Sequence, residues 1–370
     1  MISPDRQMSP FFSIIVPCCE VEPYVRECLD SVLNQPFTDW ECLIGVETSK
    51  DKTEEIVREY ASRDARFKVF TGPRTGSCSA SRNTGVDMAT GEYVIFLDGD
   101  DTIAEGSLQR LHDKISARLG ADLYPCAMRV YDDGTKEELE LRDNYPEGFD
   151  KELTGPAATL FTECGCGHNP CPMLQLTVFR RDFLVKNELK CIHGLRRQDS
   201  EFAPRALYLA SRVVPLHDVF YLYRIRENAV GSSARGHGYF LGDWARISNS
   251  RFAFHAAMAK EAGFDHRIAE CWARQWLPLI FYFWFAPENM RDIPRERRLE
   301  TLRTLLSDDA ADFKLLLKAA SCSKRIAGWW VVAFLRHPWL RPLAELFFKC
   351  YFSLSGRKRN DSAKDRKNVN

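Results

Sequence analysis

The ordered pattern of the chain begins at Phe12 to Val16, a mainly aromatic and β-branched run closed by Pro17, which predicts a buried first strand. Val21, Tyr24, Val25, Cys28, Leu29, Val32 and Leu33 then recur at helical spacing, with Pro23 where a first turn tolerates it. The cycle repeats: Glu41 to Val46 as strand, Lys52 to Ala61 as helix, Phe67 to Phe70 as strand, Cys78 to Met88 as helix stopped by Gly91, and Tyr93 to Leu97 as strand. Strands this apolar are buried on both faces, which implies a parallel sheet. Residues 105 to 119 predict another helix, 122 to 131 a single strand, and Asp132 to Asp150 an exposed acidic hairpin or loop. From Asn169 to Arg226 the pattern is mixed. After about Phe240 it is helical and rich in Trp and Phe, and it ends in a basic polar tail from Gly356 to Asn370.

Short strands alternating with helices of ten to fifteen residues define an open α/β sheet, whose ligands sit beyond the carboxyl ends of the strands. At one such end stand Asp98, Gly99, Asp100 and Asp101, directly after the Tyr93 to Leu97 strand. Carboxylates this close repel one another unless a positive charge offsets them. Hard oxygen ligands of this kind suit Mg²⁺ or Mn²⁺, which keep coordination positions open for phosphate oxygens. The competing reading is a solvated cap, with Asp101 and Thr102 preceding the helix that starts near Glu105.

The 370 residues carry 51 Lys+Arg against 51 Asp+Glu, which excludes a globally basic nucleic-acid coat, so no nucleic-acid partner is expected. A hydrophobic share of 45% excludes overall disorder. Thirteen cysteines, an odd number, and an N-terminus without a signal-like apolar run point to a reducing cytoplasm. No apolar stretch reaches membrane-spanning length.

Four stretches carry a family resemblance: the opening FFSIIVP, the helix YVRECLDSVLNQ, the stretch SASRNTGVDMATGEYVIFLDGDD, and RRQDSEF followed by YLYRIRENAVGSS. Together they resemble the family 2 glycosyltransferases over roughly residues 11 to 235. That resemblance implies a GT-A fold, a Rossmann-like mixed sheet flanked by helices, and transfer of a sugar from a nucleotide-sugar donor. It implies that Asp98 contacts the donor ribose or phosphate and shares the metal site with Asp100. Asp100 would ligate the Mn²⁺ or Mg²⁺ that bridges the diphosphate, and Arg82 would turn toward the donor. Asp199, in Arg197-Gln198-Asp199-Ser200-Glu201-Phe202, corresponds to the aspartate assigned as general base, with Glu201 as fallback. Without the resemblance, Asp199 reads as an N-cap.

The chain departs from that pattern in three places. Gln198 stands where the family has a glutamate, which removes a negative charge beside Asp199 and lowers its pKa relative to a Glu-Asp pair. After the first strand, Pro17-Cys18-Cys19-Glu20 lacks the usual aromatic and asparagine, so Pro17 and Glu20 would border an altered nucleotide pocket. After the second strand, Val46-Glu47 replaces paired aspartates, leaving Glu47 to accept the imino hydrogen bond of a uracil; a UDP-sugar is the favoured donor.

Other signals stay open. Cys164, Cys166, His168 and Cys171, with Cys191 and His193 farther on, are either zinc ligands at irregular spacing or loop packing. Gly231, Gly236, His237 and Gly238 form either a loop closing over the diphosphate or a plain linker. Residues 322 to 370 hold eleven Lys/Arg against Glu345, Asp361 and Asp365, interleaved with aromatics such as Trp329, Trp330 and Trp339. Such helices either lie in an anionic membrane surface or pack on one another. The expected organisation is a transferase domain over 11–235, a helical region over 236–355 and a disordered tail over 356–370. The expected role is an inverting transfer to a glycan or lipid-linked acceptor in surface-polysaccharide synthesis, on the cytoplasmic face of the membrane. A sugar-nucleotide nucleotidyltransferase and a non-catalytic binding scaffold are the alternatives. Nucleotidyltransferases carry a glycine-rich basic loop after strand one, where this chain has Cys18-Cys19-Glu20-Val21.

Overall fold

The structure, a computed structural model, describes residues 9–165, 173–226, 241–261, 263–265 and 267–268. The chain divides into two compact units, 1–251 and 252–370, and the architecture below belongs to the first. The Cys166 to Cys171 portion of the cysteine cluster, the loop at 231–238 and the aromatic, basic region 322–370 lie outside the described residues.

A six-stranded mixed sheet forms the centre, built from β1 (Phe12–Cys18), β2 (Trp40–Glu47), β3 (Phe67–Gly72), β4 (Tyr93–Phe96), β6 (Leu123–Pro125) and β9 (Thr177–Arg180) in the order β3-β2-β1-β4-β9-β6. The first four strands run parallel; β9 pairs antiparallel with both β4 and β6. Every residue of β1 and β2 is buried, the polar Ser13, Glu41 and Glu47 included, as central strands of a two-sided sheet require. Ile14 and Val16 face one core, which includes Val25, Leu29 and Val32 of helix α1 (Val25–Leu33). Ile15 faces the other, with Val86 of α3 (Ser79–Met88) and Phe202 of α7 (Asp199–Leu209). The period-2 alternation thus divides one strand between two helical layers. Helix α2 (Thr53–Arg63) buries Ile56, Val57 and Tyr60 at the spacing that faces the sheet.

A second sheet joins β5 (Thr102–Ile103), β10 (Val219–Ile225), β7 (Ala127–Asp132) and β8 (Glu138–Asp143) in the order β5-β10-β7-β8. The single strand expected over 122 to 131 is therefore two, because the chain leaves the large sheet at Cys126, whose amide bonds the Leu176 carbonyl at 2.8 Å, and enters the small one as β7. The hairpin expected in 132 to 150 is the antiparallel β7–β8 pair. Helix α4 (Ser107–Ser116) starts later than expected because Gly106 sits at φ +65°, outside helical backbone. Gly91 does not stop α3; the chain already turns extended at Ala89, and a Cβ on Gly91 would lie 2.7 Å from the Ser13 amide nitrogen. Short helices α5 (Gly155–Thr159) and α6 (Arg181–Lys186) complete this unit, and α8 (Leu241–Met258) crosses its boundary. No helix among the described residues is long and apolar enough to cross a membrane.

At the amino end of the sheet, Glu41 of β2 is buried yet fully satisfied. It accepts hydrogen bonds from Ser13 Oγ at 2.7 Å, Lys68 Nζ at 2.7 Å, and Thr90 N and Oγ1 at 2.7 and 2.8 Å. Burial alone would raise its pKa, but the Lys68, Ser13 and Thr90 donors outweigh it and bring the carboxyl down to about 2. The folded value lies below the unfolded one of 4.5, so this stabilisation is present above that value and drains away as pH falls toward 2. Glu41→Gln is expected to cost ~2 kcal/mol at neutral pH and to flatten the dependence of stability on pH across that window. Denaturant titrations at several acidic pH values would read both; equal slopes for the two proteins would remove the assignment.

Candidate active site

In the order β3-β2-β1-β4 the connections reverse direction between β1 and β4, and a cleft outside the carboxyl ends of strands is expected there. A cavity of about 530 Å³ occupies that place. Pro17 and Glu20 reach it from the end of β1, Glu47 from β2, Asp98 and Asp100 from the turn after β4, and Arg226 from the end of β10. Pro17 costs β1 no pairing to β4, because that ladder ends at Ile15–Phe96.

The acidic turn is tightly built. A Cβ on Gly99 would meet Cys18 Sγ at 2.8 Å, so only glycine lets this turn fold back on β1. Asp98 has both carboxylate oxygens engaged, by Arg82 Nη2 at 2.5 Å and Gln175 Nε2 at 2.7 Å. Asp100 accepts from Arg226 Nη2 at 2.7 Å through one oxygen. Burial, and next the charge of Asp98, push the Asp100 carboxyl above the ordinary aspartate range. Asp101 is not a helix cap: 2% exposed at the cavity's edge, it accepts from Tyr221 Oη at 2.6 Å and from the Arg224 amide at 2.8 Å. It fastens the acidic turn to the second sheet.

Asp100 stands two residues from Asp98 at the cavity, paired through one oxygen with Arg226, and its donor atoms are hard oxygens, so the residues present fit Mg²⁺ or Mn²⁺. Among the described residues no three His, Cys, Asp or Glu groups converge as a metal cage. Asp100 would thus hold such an ion from one side, the arrangement that leaves coordination positions to phosphate oxygens.

Asp199, the first residue of α7, does not line the cavity but lies within electrostatic reach of Arg82 and Asp98. Burial raises its pKa, the nearby positive charge of Arg82 lowers it, and the charge of Asp98 raises it again, for a net rise. Arg82, 3% exposed, is the common neighbour of Asp98 and Asp199. The alternative cap role for Asp199 is not what the helix shows, since the N-cap is Gln198 and the helix begins at Asp199 itself. Glu201 cannot serve as the fallback base: it is fully buried, gripped by Arg205 Nε at 2.6 Å and Nη2 at 2.8 Å, and bonded by Ser250 Oγ at 2.6 Å. Gln198 is buried, with its amide nitrogen on Cys78 Sγ and its carbonyl oxygen without a hydrogen bond. A carboxylate there adds negative charge beside Asp199, so Gln198→Glu is expected to move the acidic limb of the pH–rate profile upward. A limb that stays put in that variant would show that residue 198 does not tune Asp199.

The expected nucleotide-contacting residues are partly engaged with protein. Glu47 accepts from Thr75 N at 3.0 Å and Thr75 Oγ1 at 2.5 Å, so it pins the β3–α3 loop as well as bordering the cavity. Glu20, at φ +52°, forms a bidentate pair with Arg74 at 2.5 and 2.8 Å across the cavity mouth. Sequence reasoning missed Arg74, Gln175 and Arg226, which are single polar residues in irregular segments; only the YRIR stretch before the glycines hinted at the last. Of the candidate zinc ligands in the described region, Cys191 is buried and tied through its backbone to Asn83 at 2.8 Å in both directions, and His193 is exposed.

An open mixed sheet with an Asp-x-Asp turn at its β1/β4 switch point defines a GT-A fold. Crystal structures of S. aureus TarS 1–349 share it: the one in complex with UDP-GlcNAc superposes with a TM-score of 0.67 at 20% identity, over 92% of both chains. Residues 13–183 match the family model of Glycosyl transferase family 2. Among relatives, the chain is 31% identical over 226 residues to the uncharacterized glycosyltransferase EpsJ of Bacillus subtilis, covering 60% of this chain and 63% of that one. It is 33% identical over 106 residues to the GalNAc(5)-diNAcBac-PP-undecaprenol beta-1,3-glucosyltransferase of Campylobacter jejuni, over 28% of this chain and 34% of that one. The match to EpsJ thus spans less than two thirds of that relative's length.

Proposed function

We propose that this chain is a metal-dependent, inverting glycosyltransferase that uses a UDP-sugar and a glycan or lipid-linked acceptor of a cell-surface polysaccharide. The observation that carries this reading is Arg82, which bonds Asp98 of the acidic turn and also neighbours Asp199, while Asp100 of the same turn borders the cavity, in a segment that matches family 2. Relatives named as glycosyltransferases, one of them acting on a polyprenol-linked glycan by its name, and a UDP-GlcNAc complex in a neighbour of the same fold support it.

In this reading Asp100, with Asp98 alongside, would hold Mn²⁺ or Mg²⁺, which would supply charge neutralisation for the departing diphosphate. Asp98, fixed by Arg82 and Gln175, orients the donor at the ribose or phosphate. Asp199 takes the proton from the acceptor hydroxyl, and its raised pKa brings it closer to the operating range of a general base than an exposed aspartate would be. Arg82 then stabilises both the carboxylate before proton transfer and the charge at Asp98 throughout. Glu47, Pro17, Glu20 and Arg74 border the nucleotide side of the cavity. Incubation with UDP-sugars and Mn²⁺, followed by quantifying nucleoside diphosphate, tests the reading: release that depends on Asp100 supports it, and binding without release supports the non-catalytic scaffold instead.

A further inference from the structure

Arg224 is the penultimate residue of β10, and Arg226 stands two residues on, just past the strand's end. Their surroundings differ. Arg224 is 2% exposed and clamped by Asp133 at 2.5 Å, Glu27 at 2.6 Å and the Asp100 carbonyl at 2.8 Å. The Arg226 side chain is 24% exposed, borders the cavity, and meets the Asp100 carboxylate at 2.7 Å. Both guanidiniums lie over the ring of Tyr24, at 5.1 and 4.8 Å, so the ring guides the Arg226 side chain along the cavity wall.

Resting on the transferase reading of this site, we infer that Arg226 is an exchangeable counter-ion: it occupies Asp100 until a divalent cation arrives, then transfers its guanidinium to the donor's diphosphate. A carboxylate oxygen committed to a charge-assisted bond with arginine is a poorer metal ligand, and a dication beside a guanidinium repels it. The diphosphate provides new acceptors close by, and the planar fork of arginine matches phosphate oxygens. Arg224, locked by its two acids, cannot make this exchange and keeps the acidic turn in place instead.

The inference predicts effects of opposite sign from one substitution. In Arg226→Gln, Mn²⁺ alone, measured by the paramagnetic signal of the free ion, is expected to bind about tenfold more tightly, because one charge-assisted competitor is gone. UDP in the presence of saturating Mn²⁺, measured by calorimetry, is expected to bind about tenfold more weakly for lack of the same group. Arg226→Lys, which keeps the charge but loses the fork, should fall between for UDP. Thermal unfolding of each variant checks that the fold is kept. Opposite shifts support the exchange. If Mn²⁺ binding is unchanged or weaker in Arg226→Gln, or UDP binding is undiminished, the inference is overturned while the transferase reading stands. If the wild-type chain binds neither Mn²⁺ nor UDP, both fall together.

Discussion

Asp100→Ala is expected to lower Mn²⁺-dependent release of nucleoside diphosphate by roughly 10²- to 10³-fold, the scale of removing one electrostatic stabiliser of a developing charge. The fold should survive, because the side chain is 27% exposed and its removal relieves repulsion with Asp98. Thermal unfolding should therefore be unchanged or slightly raised, which separates lost chemistry from lost structure. Asp98 would compensate only in part, because Arg82 and Gln175 already occupy one acceptor position on each of its oxygens. Release that stays within about threefold of wild type would mean that Asp100 does not sit at the diphosphate, and the metal-dependent reading would go with it.

Asp199→Asn should separate proton abstraction from donor binding. The amide keeps the shape of the side chain at the start of α7 but cannot accept the acceptor's proton, so kcat is expected to fall by roughly 10²- to 10⁴-fold. KM for the donor should move little, since the donor side of the cavity is built by other residues. In the wild-type enzyme the base must be ionised, and burial and the charge of Asp98 together outweigh Arg82 in raising its pKa. Activity should therefore drop on acidification at a pH above the ordinary aspartate value of 3.8, and that limb should vanish from the residual rate of the Asn variant. A variant with kcat near wild type would assign the base elsewhere, and Glu201, closed off by Arg205 and Ser250, could not be it.

Much of the large sheet was legible in the pattern of apolar runs. Ile14, Ile15 and Val16 announce a two-sided strand because consecutive buried residues leave no solvent face. The helical spacing of Val25, Cys28, Leu29 and Val32 is likewise local. The passage at Cys126 was not legible, because Leu123 to Met128 reads as one apolar run and nothing in it says that the chain changes sheets. Asp101 shows the same limit: in sequence it is one of three similar acids, and only Tyr221 and Arg224, more than a hundred residues away, make it a structural anchor.

Local order along the chain suffices for the α/β alternation, the acidic turn after β4 and the chemical kind of each candidate site residue, because short-range periodicity and side-chain chemistry are properties of neighbouring positions. Which carboxylate is compensated follows from packing instead. Asp98 is satisfied by Arg82 and Gln175, Glu201 by Arg205 and Ser250, while Asp100 pairs with Arg226 at the cavity wall. Charge compensation depends on distance through space and on exclusion of water, and neither is written in the order of residues along the chain.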